Sequence, residues 1–150
     1  MTEKAAIAKN LFKEGYSCSQ AVAVAYAEEM GLSKETAARL ASPFGGGMGR
    51  MREVCGAVSG MLMVLGMLYG YDDPQDAQSK RQVYALTQQL AARYREENGS
   101  IICRELLGLG AGVSDPNPEA RTETYYRKRP CADLVACAVD ILEEYRNSLK

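Results

Sequence analysis

The segment from residue 54 to residue 71 contains no charged side chain, and it constrains the fold more than any other feature of the sequence. A helix that is apolar on every side must be covered either by other protein elements or by lipid. The run is about 18 residues long, the bare minimum for a membrane span, and it is interrupted by glycines. Several amphipathic segments elsewhere need an apolar surface to cover. The sequence therefore predicts a helix over about 50–69 at the centre of a helical bundle.

The rest of the chain also favours helices over strands. Residues with high helix propensity dominate, and apolar and polar residues do not alternate over any useful length. Capping residues and glycines supply start and stop signals, such as the capping-box spacing of Ser17 and Gln20. Counted with their caps, the other expected helices cover about 3–13, 17–30, 33–41, 73–97, 100–107, 118–128 and 130 onward. We predict an all-α fold in which residues 1–150 form one domain of about six to eight helices.

Charge and the N-terminal segment limit the expected partners and compartment. The 18 basic and 19 acidic residues are interspersed and give a net charge of -1, so no field attracts nucleic acid or an anionic membrane. The first residues show neither a basic region followed by an apolar run nor a small-residue cleavage site, as a signal peptide would. We expect a cytoplasmic protein that binds neither nucleic acid nor membranes.

The composition leaves the cysteine thiols as the main candidates for catalysis or metal binding. The chain has five cysteines and no histidine, which excludes Ser-His-Asp and Cys-His catalysis as well as histidine ligands to zinc or haem. In a reducing compartment, cysteines serve metals, catalysis or transient redox steps more often than permanent disulfides. No two of them form a CxxC pair, so a joint site must be assembled by the fold.

Four of the five cysteines are expected in the first turns of helices. Free backbone N–H groups and the positive end of the helix dipole favour the thiolate there, which is the reactive and metal-binding form. These four cysteines are Cys18, Cys55, Cys103 and Cys131. Cys137 follows Cys131 by six residues, about 120° around the helix, and is expected to pack in the core.

The stretch GGGMGRMREVCGAVSG, residues 45–60, surrounds Cys55 with glycines. It is not a nucleotide-binding P-loop, because it lacks the GxxxxGK[ST] pattern and a preceding strand. Either it is an ordinary connection, or its missing Cβ atoms let the backbone approach a sulfur site or a bound ligand closely, for example as a cradle for an anion or phosphate. Nearby charges are candidates to steady thiolates or relay protons. They are Arg50, Arg52, Arg104, Glu53, Glu105 and Asp133. The basic run YYRKR at 125–129 is interpreted as a solvated helix end.

Four short motifs together suggest a family. They are GYSCSQAV around Cys18, CGAVSG from Cys55, CREL from Cys103 and RPCADLV around Cys131. In order and spacing they resemble the C_GCAxxG_C_C family, whose members are described as redox-active, and the resemblance covers nearly the whole chain. It implies that these are the four characteristic cysteines and that Gly56, Ala57 and Gly60 complete the motif, which makes these three candidates for cofactor contacts. A related domain in split-Soret cytochromes favours electron transfer or cluster binding.

The sequence leaves two chemistries open for the four cysteines. In one, the thiols cycle between dithiol and disulfide in an oxidoreductase. In the other, all four thiolates bind an iron–sulfur cluster or zinc in an electron-transfer or metal-binding protein. The rival interpretation is a non-catalytic interaction module with structural cysteines. An unidentified redox partner and a homodimer are further expectations.

Overall fold

The computed structural model describes all 150 residues, and the expected all-α fold is confirmed. No strand is present, and one isolated antiparallel bridge joins Val54 to Ile102. The helices are α1 (Glu3–Lys13), α2 (Cys18–Ala25), α3 (Ala27–Met30), α4 (Lys34–Ala41), α5 (Gly45–Met48), α6 (Gly56–Tyr69), α7 (Ala77–Asn98), α8 (Cys103–Leu106), α9 (Glu123–Lys128) and α10 (Cys131–Ser148). Of these, α5 is an irregular turn, because Gly46 and Gly47 both have a φ of 69°. A single 3-10 turn, Ser42–Phe44, connects α4 to α5.

One hydrophobic core holds the helices together. Helix α1 packs on α10 and α2, while α2 also packs on α4 and α6. Helix α10 contacts α1, α2, α6 and α7. The largest fully buried side chains include Tyr26, Tyr94, Phe12 and Met61. No helix of this fold combines the length and apolar character that a membrane crossing requires.

Local signals in the sequence fix several boundaries. The range of α1 agrees with the prediction, and the Thr2 side chain accepts a hydrogen bond from the backbone N–H of Ala5. The capping box of Ser17 and Gln20 forms at the start of α2. Gly31 and Gly99 adopt left-handed conformations at the ends of α3 and α7.

The central apolar helix begins at Gly56, six residues later than predicted. Arg50 and Arg52 have φ angles of 65° and 63°, in the left-handed region, so the chain before Cys55 cannot continue a right-handed helix. The N-terminal part of α6 is buried as expected, but its other end is not enclosed, since Met67 is 52% exposed.

Four other predicted helices are shorter than expected, among them the segment 100–107, which is helical only over Cys103–Leu106. The segment 17–30 is interrupted at Tyr26, whose φ and ψ of -106° and 12° separate α2 from α3. Helix α7 is capped by Asp76, because Asp73 accepts a hydrogen bond from Gln75 within the preceding turn. Helix α9 is capped by Thr122 rather than opened by Pro118. In the last two cases a capping side chain further along the chain sets the start of the helix.

Candidate functional site

The four motif cysteines lie at helix N-termini. Cys18, Cys103 and Cys131 are the first residues of α2, α8 and α10, and Cys55 is the N-cap of α6. All four are free thiols; Cys18 is half-buried and the others are buried. Cys103 does not sit three residues past a Ser100 cap as predicted, because Ile102 occupies the cap position.

These cysteines line one cavity of about 220 Å³. The structure thus brings together four thiols that are separated by up to 113 positions in sequence. The glycine stretch forms part of the wall, as do several arginines. Cys137 does not line this cavity.

A short extended pairing places Cys55 and Cys103 in the same wall. The N–H of Cys55 donates to the carbonyl of Ile101 at 2.8 Å, and the N–H of Cys103 donates to the carbonyl of Glu53 at 2.6 Å. These bonds flank the Val54–Ile102 bridge. Because side chains alternate along an extended segment, Cys55 and Cys103 point to the same side, opposite Val54 and Ile102.

The glycines are required where the backbone approaches the cysteine-bearing segments. A Cβ on Gly47 would stand 2.6 Å from the Cβ of Cys103, and Gly47 also has a φ of 69°. A Cβ on Gly56 would stand 3.1 Å from the Cβ of Cys18. These distances leave no room for a larger residue. The glycine stretch therefore allows α5 to approach α8, and α6 to approach α2, beside the thiols.

The other two motif residues serve packing between helices. A Cβ on Gly60 would stand 2.9 Å from the carbonyl oxygen of Ser19 in α2, and Ala57 is completely buried. Of the three motif residues Gly56, Ala57 and Gly60, only Gly56 lines the cavity. The motif spacing thus permits the close contact of α6 with α2.

Cys18 and Cys131 line the same cavity and affect each other's ionisation. The pKa of Cys131 is lowered, first by the neighbouring Cys18 thiol and then by the positive charges of Arg129, Arg121 and Arg52. The pKa of Cys18 is raised by the same neighbour and by burial, with further contributions from the charges of the other two cavity thiols. Cys131 therefore loses its proton more readily than Cys18.

Cys55 is held differently, by a buried hydroxyl. Its Sγ lies 3.3 Å from the hydroxyl oxygen of Tyr94, which is itself completely buried. Burial raises the pKa of Cys55, while Tyr94 and the backbone N–H groups of Ala57 and Val58 act in the opposite direction. Cys55 thus stays protonated under conditions in which Cys131 ionises.

Four arginines line the cavity: Arg50, Arg52, Arg121 and Arg129. Arg52 reaches the thiols directly, with Nη1 donating to Cys103 Sγ over 3.7 Å. Its left-handed backbone conformation is uncommon for a residue with a side chain, and such strain concentrates at functional sites. Of the three arginines singled out from the sequence, Arg50 and Arg52 line the cavity and Arg104 does not.

Sequence reasoning missed Arg121 and Arg129. Arg129 belongs to the run that the sequence analysis interprets as a solvated helix end. Its position two residues before Cys131 nevertheless indicates that it lies near the thiols. Nothing in the sequence around Arg121 indicates that it reaches the site, because its contacts are with the distant carbonyls of Phe12 and Tyr16.

The predicted proton relays do not line the cavity. Glu53 is paired with Arg104 at 3.7 Å, and Asp133 is paired with Lys9 at 2.8 Å. Glu105 accepts a hydrogen bond from Ser100. Glu119 is the only carboxylate of the wall, and it forms an ion pair with Arg129.

Cys137 packs against the edge of the core, but its sulfur has polar partners. Its Sγ donates to Glu97 at 2.9 Å and accepts from the Asn98 side chain at 3.3 Å. Burial and the Glu97 carboxylate raise the pKa of Cys137 to about 11. The expected separation from Cys131 is present, but the expected apolar packing is only partial.

The side chains as placed do not form a metal-binding group. No three of the cysteine, aspartate and glutamate side chains have an arrangement that could hold an ion. A Cys₄ zinc or cluster site needs four sulfurs around one point, at about 2.3 Å from the metal for zinc. The four thiols share a wall without providing that geometry.

Comparisons with known proteins give one match. The family model described as "Putative redox-active protein (C_GCAxxG_C_C)" matches residues 16–145. Neither the curated proteins nor the solved structures contain a significant match to the chain. The matched range includes all four cavity cysteines and most of the chain, so this protein belongs to the C_GCAxxG_C_C family.

Proposed function

We propose that this protein is a thiol–disulfide oxidoreductase in which Cys131 attacks a disulfide and Cys18 resolves the mixed disulfide. The observation that carries the proposal is the convergence of four free thiols on one cavity, in which the pKa of Cys131 is lowered and that of Cys18 is raised. The thiolate is the attacking species in thiol–disulfide exchange, and the second thiol must be adjacent to complete the reaction. Membership of a redox-active family supports the same chemistry.

The two steps balance as a transfer of two electrons. The Cys131 thiolate attacks one sulfur of a substrate disulfide, the substrate S–S bond breaks, and the first product thiolate leaves and takes up a proton. Cys18 then loses its proton and attacks the Cys131 sulfur, which releases the second product thiolate. The protein dithiol becomes a Cys18–Cys131 disulfide, and the substrate disulfide becomes two thiols. An external dithiol returns the protein to its reduced state.

Cys55 and Cys103 are assigned to a second dithiol in the same cavity. Their shared orientation on the paired segment and their position beside the first pair support exchange between the pairs. In that exchange, the second dithiol reduces the Cys18–Cys131 disulfide and is itself oxidised, so the electron count is conserved. Loss of four thiols per chain, rather than two, is the corresponding measurement.

Trapping the mixed disulfide tests the assignment of the first pair. The reduced full-length protein is treated with bis(2-hydroxyethyl) disulfide without oxygen, and each cysteine is mapped by mass spectrometry. We expect an internal Cys18–Cys131 bond in the wild type and a stable adduct on Cys131 in Cys18→Ser. Cys131→Ser should react slowly, whereas the control Cys137→Ser should behave as the wild type. If Cys131→Ser reacted as fast as the wild type, the proposal would be contradicted.

Two measurements on the same preparation test the other interpretations. Iron, acid-labile sulfide and zinc are quantified in protein purified without oxygen. If the wild type contained stoichiometric metal, and each of the four single variants of the cavity cysteines lost it, a Cys₄ metal site would replace thiol exchange as the proposed function. Variants that changed only stability, with neither metal content nor thiol reactivity affected, would favour a non-catalytic module.

A further inference from the structure

The thiol cavity has more positive charge than its own residues neutralise. Arg129 is paired with Glu119, but Arg50, Arg52 and Arg121 form no ion pair with any carboxylate. A thiolate formed at Cys131, whose pKa is lowered, would offset only part of this charge. A net charge of one sign in a cavity with low-dielectric walls attracts ligands of the opposite sign.

Arg52 shows this imbalance most clearly. Its residue is only 5% exposed, and its Nε donates to the neutral hydroxyl of Ser114 at 3.0 Å. Its other partner is the Cys103 sulfur at 3.7 Å. Burying a charged group without a counter-charge is costly, and such groups are normally paired. A negatively charged ligand in the cavity would supply the missing partner.

Arg121 is fixed in place by neutral groups only. Its guanidinium donates to the carbonyls of Phe12 and Tyr16 at 2.9 and 3.0 Å, and it stacks on the Phe12 ring at 4.4 Å. These contacts hold the planar group rigidly and leave its charge without a counter-ion. A positioned guanidinium is suited to binding carboxylates.

The size of the cavity restricts the ligand further. Its volume of about 220 Å³ is below the roughly 300–1,000 Å³ of pockets that bind drug-sized molecules. A large anion such as a dinucleotide does not fit that volume. The ligand must also bring a bond that a thiolate can attack, since four thiols form the wall.

Resting on the proposed thiol exchange, we propose that the substrate is a small organic disulfide that carries carboxylate groups. Its carboxylates bind Arg52 and Arg121, and its S–S bond lies beside Cys131. The chemistry is the balanced exchange given above, with two carboxylate-bearing thiols as products. The arginines act as binding residues that select the charge of the substrate.

Three disulfides of similar size and different charge test this selection. They are 3,3′-dithiodipropionate with two negative charges, bis(2-hydroxyethyl) disulfide with none, and cystamine with two positive charges. Oxidation rates of the reduced protein are divided by the rates of the urea-unfolded chain, which removes intrinsic differences among the reagents. We expect the anionic disulfide to exceed the neutral one by on the order of tenfold and cystamine to be slowest. The preference for the anionic disulfide should become smaller as the salt concentration is raised.

A matched pair of variants tests whether Arg121 causes the preference for the anionic disulfide. Arg121→Gln should lower the ratio of the anionic rate to the neutral rate, while Arg127→Gln, at an exposed position of α9, should leave it unchanged. The ratio is used because loss of Arg121 also raises the pKa of Cys131 and slows all three reactions. Thermal unfolding of both variants confirms that they are folded.

The outcomes separate the two proposals. Equal normalised rates for the three disulfides, or a preference for cystamine, would overturn the anionic substrate while leaving thiol exchange intact. No reaction at Cys131 with any of them would overturn the proposed function itself. An anionic preference that Arg121→Gln leaves unchanged would overturn the assignment of Arg121 as a binding residue.

Discussion

Helices α6 and α10 each carry two residues of one type in contrasting surroundings. In α10, Cys131 lies beside arginines at the cavity and Cys137 lies beside a carboxylate six residues later. In α6, Gly60 packs against α2 and Gly66 has open space around it. Because the residue type is the same within each pair, any difference between its two members comes from their positions in the bundle.

The comparison shows that the environment, and not the cysteine itself, determines ionisation. Positive side chains and a neighbouring thiol lower the pKa of Cys131, whereas burial and a negative side chain raise that of Cys137. Both thiols are on the same helix, but only Cys131 is at its positive N-terminal end. At the same end of α6, Gly56 and Gly60 are so close to α2 that no side chain fits between the two helices.

The largest expected effect compares Gly60→Ala with Gly66→Ala. The new methyl group at 60 would stand 2.9 Å from both the Ser19 carbonyl oxygen and the Val22 Cβ, and backbone cannot move aside cheaply. We expect a loss of about 1–3 kcal/mol in the free energy of unfolding, as for overpacking in a core. At 66 nothing lies within 4 Å, and alanine should stabilise the helix by roughly 0.5–1 kcal/mol.

Urea unfolding followed by circular dichroism measures both effects. Similar stabilities for the two variants would show that the contact of α6 with α2 relaxes freely and that the motif glycine is not needed for packing. Thiol reactivity of the folded Gly60→Ala protein, mapped at each cysteine, then reports whether α2 has moved Cys18 away from Cys131.

The amino-acid sequence was sufficient to predict the helical class, the range of α1 and the placement of the motif cysteines near helix starts. These features depend on local signals such as Ser17 and Gln20, whose effect is limited to one turn. The structure of residues 50–55 was not predictable in this way. Their left-handed arginines and their pairing with Ile102 depend on contacts with a segment about 50 positions away.

The site was predicted in the same uneven way. The four cysteines were identified from their sequence contexts, but the neighbour relation of Cys18 and Cys131 required the packing of α2 beside α10. Arg121 reaches the cavity only because the carbonyls at the end of α1 hold it there. No periodicity in sequence reports such tertiary contacts.

The second prediction compares the alkylation of Cys131 and Cys137 by iodoacetamide at pH 7. With a pKa of about 11, Cys137 is a thiolate in only about one molecule in 10⁴ at that pH. Cys131 is a thiolate at least about 100 times more often, since its pKa is below the ordinary value of 9.0. The nucleophilicity of a thiolate falls as its pKa falls, with a Brønsted slope of about 0.4–0.5, so the rate advantage should be at least about tenfold.

Peptide mapping by mass spectrometry measures the two rates in one sample. The rate at Cys131 should rise with pH and level off at a lower pH than the rate at Cys137, because each follows the formation of its thiolate. Faster alkylation of Cys137 at pH 7 would mean that access from solvent outweighs ionisation. The assignment of Cys131 as the attacking thiol would then lose its support.

The smallest effect is expected at Glu97, whose Oε2 accepts the hydrogen bond from Cys137. Glu97→Gln removes a negative charge that opposes thiolate formation, so the pKa of Cys137 should fall from about 11, although burial continues to raise it. At fixed pH the alkylation of Cys137 should accelerate by roughly a few-fold, and that of Cys131 should not change. Glu144→Gln is the matched control, because Glu144 also pairs with Arg93 but does not contact Cys137. An equal acceleration in both variants would assign the effect to the freed arginine. Acceleration in Glu97→Gln alone would establish that one adjacent carboxylate accounts for part of the contrast between the two cysteines of α10.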